Sequence, residues 1–207
     1  MLSFTPAFEL GLWNAWILVL TMFLLIMGLS PLVMNLFFGS KMSKECSKRH
    51  GAQPKLNEFE KKLDNLFTLN ILALLGYSIF LPLELNTVWF IAGLFVYVMS
   101  MIFGFIAIIN FTQAPMDKPA TKGVYNISRN PMYFSMFLTF IGIGLTCASW
   151  FFLILTMIWI LLADRGVVAE ERLCLETYGD SYRKYMKNTP RWIGMPKSKK
   201  RKDYKQQ

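Results

Sequence analysis

A chain of 207 residues that is 54% hydrophobic and 15% aromatic is too apolar for an ordinary soluble domain. Its net charge of +9 sits in segments that alternate with uncharged runs of membrane length, which excludes a nucleic-acid-binding surface as the source of the charge. Three cysteines without paired spacing and a single histidine, His50, exclude a disulfide framework and a Cys- or His-rich metal site.

The uncharged runs are residues 10–40, 65–83, 85–116 and 130–163. The first span is expected over residues 11–38, with Trp13 and Trp16 near its outer end, where amphipathic rings favour the interface. No cleavable leader is expected, because a basic n-region is missing. A basic loop over 41–64 follows. Within it, Asn57 before Glu58 and Glu60 predicts a helix N-cap with acidic residues in the first turn. That helix is expected to enter the membrane near Asn65 and leave near Pro82. Residues 83–87 read as a short outer turn, and 88–110 as the third span.

Residues 111–128 hold Pro115, Pro119 and Gly123 and are not expected to form one regular helix. The run 130–163 would measure ~51 Å as one helix, well beyond a ~30 Å hydrocarbon core. A hairpin is therefore expected, bent at Thr146-Cys147-Ala148-Ser149, with Gly142 and Gly144 permitting close helix packing. Its second arm should continue past Arg165, Glu170 and Glu171 to Tyr178. Gly179 is the expected C-cap, and Asp180 the expected N-cap of a short helix carrying Tyr182 and Tyr185, which Pro190 stops.

Every Lys and Arg lies between Ser40 and Asn65, between Phe111 and Asn130, or after Asp164. By the positive-inside rule these segments face the cytoplasm. The expected fold is all-α: a polytopic integral membrane protein of about five transmembrane helices, N-terminus outside and C-terminus cytoplasmic, with the last two helices a hairpin. Two carboxylates at the end of a membrane segment are costly to keep there and mark a candidate site. The antiparallel arms bring Arg129-Asn130-Pro131-Met132-Tyr133 close to the stretch from Arg165 to Glu171. An apolar floor with a polar, aromatic rim suits a small amphipathic ligand.

Lys122-Gly123-Val124-Tyr125, Arg129-Asn130-Pro131-Met132-Tyr133, Glu170-Glu171 and Tyr178-Gly179-x-x-Tyr182-x-x-Tyr185 occur in that order. Together they closely resemble the isoprenylcysteine carboxyl methyltransferase family and the phospholipid N-methyltransferases grouped with it. The resemblance covers roughly residues 117–192. It implies a membrane enzyme that uses S-adenosylmethionine, held between the last hairpin and the cytoplasmic tail. It assigns cofactor contacts to Tyr125, Asn130, Pro131, Met132, Tyr133, Glu170 and Glu171. The family usually has His where Asn130 stands. It places a substrate-orienting Arg where Gly166 stands, one residue from Arg165, which becomes the candidate for orienting an anionic acceptor.

These readings divide the chain into a three-helix membrane region (1–110), a methyltransferase core (111–192) and a basic tail (193–207). The expected partners are membrane lipids and a lipophilic acceptor bearing a carboxylate, amine or thiol, with no nucleic acid and no metal. The alternative is a non-enzymatic membrane scaffold that keeps the hairpin as a packing element. A transporter is disfavoured by spans without charge and without an inverted repeat.

Overall fold

The computed structural model describes residues 8–29, 35–36 and 54–194. Most of the basic loop, part of the first expected span and the tail from 195 lie outside the described residues.

Residues 8–15 run alongside 79–83 rather than forming helix. Ala15 N–H donates to Leu81 O (2.8 Å), Leu83 N–H to Trp13 O (2.9 Å), and Asn14 Nδ2 to Ile79 O (2.8 Å). Helix α1 (Trp16–Phe23) therefore starts later than expected and continues as a π-helical stretch, Leu24–Leu29.

Helix α2 spans Glu58–Ser78. Asn57 Oδ1 accepts from Glu60 N–H (2.8 Å), and Glu60 Oε2 accepts from Asn57 N–H (2.9 Å), a reciprocal capping box. The helix ends at Ser78, short of the expected exit near Pro82, because 79–83 pair with the N-terminal segment instead.

Helix α3 (Val88–Thr112) starts on Thr87, whose hydroxyl accepts from Phe90 N–H (3.1 Å). Helices α4 (Pro131–Thr146) and α5 (Trp150–Tyr178) form the expected hairpin, and its turn falls at the expected bend. Pro131 opens α4, where a missing N–H costs nothing. Ser149 caps α5 by accepting from Phe152 N–H. Gly179, at φ +53°, ends α5 and leads into α6 (Asp180–Asn188). Gly179 is thus the cap on both sides. Asp180, the expected N-cap, is instead the first residue of α6, and its carboxylate accepts from Arg183 (3.2 Å).

The six α-helices and the absence of strands hold for the described residues. Helix α3 packs most extensively on α4, and α2 packs on α5. Trp159 is fully buried at the centre, stacked on Phe67 of α2 (5.5 Å) and edge-on to Phe137 of α4 (5.4 Å). Helices α3 and α5 are long and apolar enough to cross a membrane, while α4 is apolar but shorter. Their outer faces carry uncovered apolar side chains such as Ile91 and Leu161, each 67% exposed.

Small residues set the α3–α4 crossing. A Cβ on Gly142 would lie 2.8 Å from Tyr97 N and 2.9 Å from Gly93 O, both backbone atoms that cannot swing aside. Gly144 lies close against the Leu153 and Phe152 side chains of α5. Gly142→Ala should therefore destabilise the fold by about 1–3 kcal/mol. Gly76→Ala, where a Cβ meets nothing within 4 Å, should stabilise α2 by up to about 1 kcal/mol. Thermal unfolding of both variants in detergent checks the contrast, and a Gly142→Ala protein as stable as wild type would refute the close crossing.

Candidate active site

The polar end of the hairpin is organised by a turn. Gly123 adopts φ +62°, and a Cβ there would collide with the Asn110 side chain. That closeness lets Asn110 Oδ1 accept from Val124 N–H (3.0 Å), tying the short 3-10 helix Gly123–Asn126 to α3. Tyr125 is thereby buried with Ala120, Tyr182 and Tyr185, and Met132 packs against the same cluster. The Tyr185 hydroxyl donates to Tyr125 O (2.6 Å), which fastens α6 to the turn.

Beneath that cluster lies a charge network. Glu171 is 3% exposed. Its Oε1 accepts from Arg129 (3.1 Å) and from Asn130 Nδ2 (3.3 Å), and its Oε2 accepts from Arg191 (3.0 Å). Arg191 also reaches Asp164 (3.4 Å). Backbone bonds reinforce the join: Arg129 N–H donates to Pro190 O (3.0 Å), and Gly194 N–H to Ile127 O (3.1 Å). The chain after α6 is thus strapped onto the loop that enters α4.

Glu170, one residue earlier on α5, points elsewhere. Its Oε1 accepts from the Tyr133 hydroxyl at 2.6 Å. It lies beyond the apolar run of α5. Burial pushes its carboxyl above the usual range; the Tyr133 hydrogen bond works against that, and the nearby Glu171 adds to it. Tyr133 and Glu170 line a cavity of about 220 Å³ together with Arg165, Gly166 and Ala169 of α5 and Leu63, Asp64 and Phe67 of α2. Pro54, Leu56 and Glu60 border it. Arg172, next along α5, grips Glu60 through both oxygens at 2.9 Å and also donates to Lys55 O (2.8 Å). This contact holds Glu60 below its usual carboxylate range and fixes the start of α2 against α5. A second opening beside Arg165 is lined by Ile160, Leu161, Asp164 and Trp192.

The eight residues singled out from the sequence thus divide into groups. Tyr133, Glu170 and Arg165 share the cavity. Asn130 and Glu171 belong to the charge network, Tyr125 and Met132 to the tyrosine cluster, and Pro131 is the buried first residue of α4. Adjacent carboxylates point apart because neighbours on a helix differ by about 100°. Sequence reasoning missed Arg191, Asp64 and Phe67. The helical spacing of Glu60, Asp64 and Phe67 places them on one face of α2, a signal that was present but had no partner named.

A cation flanked by polar groups suits this lining, which offers carboxylates, a phenol, a second aromatic ring and one guanidinium. S-adenosylmethionine carries an ammonium, a carboxylate, a sulfonium and ribose hydroxyls, so the residues present fit it. A search of curated proteins returns no match. Comparison with protein families matches residues 86–181 to the phospholipid methyltransferases, a stretch that runs from the start of α3 into α6 and contains Tyr133, Arg165 and Glu170. Residues 86–181 thus match a phospholipid methyltransferase domain, of the isoprenylcysteine/phospholipid methyltransferase family.

Proposed function

We propose that this protein is a multi-pass integral membrane methyltransferase that uses S-adenosylmethionine to methylate a lipophilic acceptor at the cytoplasmic face. The observation that carries the reading is the cavity where Tyr133 and Glu170, hydrogen-bonded at 2.6 Å, meet Arg165 within the family domain. About five spans, with the N-terminus outside, follow from the uncharged runs and the distribution of Lys and Arg.

Each group has a role that its position supports. The bound cofactor supplies an electrophilic methyl group on a cationic sulfur. Glu170 accepts from its ammonium or ribose hydroxyls, and the rings of Tyr133 and Phe67 face a cation. Tyr125, Asn130, Pro131, Met132 and Glu171, to which the resemblance also assigns cofactor contacts, are not among the residues lining this cavity; they belong to the tyrosine cluster, the charge network and the start of α4 beside it. Arg165 is exposed between the two openings, where a guanidinium receives an anionic group of the acceptor. Uncovered Ile154, Met157, Ile158 and Leu161 lead along α5 toward it, an apolar approach for an acyl or prenyl chain. The family match supports a phospholipid amine as acceptor ahead of a carboxylate or thiol. Holding acceptor and methyl group in line supplies most of the rate gain in such a displacement.

Calorimetric titration of S-adenosylmethionine into the detergent-purified protein tests this, followed by methyl-label transfer to phosphatidylethanolamine vesicles and to a prenylcysteine. Saturable micromolar binding with label in the phospholipid is expected. A folded protein that binds no cofactor would overturn the reading and put the scaffold first.

A further inference from the structure

Helix α2 lies outside the family domain, yet its first three turns form one wall of the cavity. Its acidic residues there are not equivalent. Glu60 is neutralised by the two-pronged Arg172 contact. Asp64, one turn further on, forms no ion pair among the described residues. Its charge reaches the Tyr133 hydroxyl. On the opposite wall Glu170 likewise forms no ion pair among the described residues; its carboxylate accepts from the Tyr133 hydroxyl, and Arg165 lines the same cavity. With Glu60 set against Arg172, the described lining holds two carboxylates, Asp64 and Glu170, against the one guanidinium of Arg165. Among the described residues the lining therefore carries one excess negative charge, and Asp64 is the more exposed of its two unpaired carboxylates.

We propose that Asp64 is a specificity-determining residue that makes the cavity favour the cationic methyl donor over its neutral product. The proposal rests on the cofactor reading above. Transfer breaks the methyl–sulfur bond and leaves the electron pair on sulfur, while the acceptor forms the new bond to carbon. The sulfonium of S-adenosylmethionine thereby becomes the thioether of S-adenosylhomocysteine, and the ligand loses one positive charge. A carboxylate with no ion-pair partner among the described residues attracts the first ligand and has no such hold on the second. The Arg172–Glu60 contact keeps this end of α2 in place against α5. Asp64 therefore sits on a braced wall rather than on a loose end. The consequence is a site that loads the donor and releases the spent product.

The test is the ratio of dissociation constants for S-adenosylhomocysteine and S-adenosylmethionine, measured by calorimetry on the full chain in detergent. Asp64 is exposed, so Asp64→Asn should fold as wild type does. Asp64→Asn should weaken S-adenosylmethionine about three- to tenfold and leave S-adenosylhomocysteine within twofold, a range set by a partly solvated charge contact. Asp64→Glu should restore most of the preference. Equal weakening of both ligands, or of neither, would overturn the role of Asp64 while leaving the cofactor reading intact. A wild-type protein that binds neither ligand would overturn the cofactor reading and this inference with it.

Discussion

Glu171→Ala should destabilise the protein by roughly 3–5 kcal/mol, the cost of leaving a buried charge without its partner. The Arg129 side chain is only 9% exposed and Glu171 is its carboxylate partner. Its other contact is a long bond from Nη1 to Met186 O (3.4 Å), and its Nε has no partner among the described residues. Arg191 would lose the same carboxylate and retain Asp164. The loss should spread to the strap formed by 189–194, because that strap and the loop before α4 meet at these groups. For a chain of this size the effect corresponds to a fall in Tm of roughly 6–20 °C. Asp180→Ala, which removes an exposed pair with Arg183, should change stability by less than about 0.5 kcal/mol. Thermal unfolding of both variants in one detergent decides the matter. A Glu171→Ala protein within two or three degrees of wild type would show that the buried network is not what holds the strap.

Glu170→Gln should move binding and stability in opposite directions. Burial raises the Glu170 carboxyl above its ordinary range, so the folded protein holds a proton there more tightly than the unfolded chain does. The sign follows from linkage. Between the ordinary carboxylate value and the raised one, the folded state binds more protons, so stability falls as pH rises through that window. At neutral pH the ionised carboxylate is thus a burden on the fold. Gln removes the charge and keeps an oxygen to accept from Tyr133, so Tm at neutral pH should rise. Cofactor affinity should fall at least tenfold (about 1.4 kcal/mol), because the anionic contact is gone. In the wild type, affinity should weaken on acidification, with a midpoint above the usual carboxylate range. Glu170→Gln should flatten that profile. Calorimetry from neutral to mildly acidic pH, paired with Tm measurements, reads both effects. If the substitution lowers Tm and spares binding, Glu170 is a packing residue and not a ligand.

Much of the backbone plan was legible in the sequence because it follows from local chemistry. Asn57 with Glu60 is a capping box in any context, Pro131 opens a helix, and 34 uncharged residues interrupted by Thr146–Ser149 must fold back. The small residues at 142 and 144 announced close packing for the same reason. The start of α1 and the end of α2 were misplaced. Hydropathy reports only that residues 11–15 and 79–83 are apolar, and a pairing between two extended segments far apart in sequence leaves no periodic trace.

The sequence by itself determined the helices, the hairpin and the chemical types gathered at its polar end, since caps, breakers and uncharged runs act over a few residues. Only the tertiary structure decided which carboxylate does what. Glu170 and Glu171 are neighbours in the chain, but a rotation of about 100° sends one into a cavity with Tyr133 and the other into a buried clamp between Arg129 and Arg191. The wall supplied by Asp64 and Phe67 was likewise invisible until α2 packed on α5, because a contact across some hundred residues depends on how helices dock and not on their local sequence.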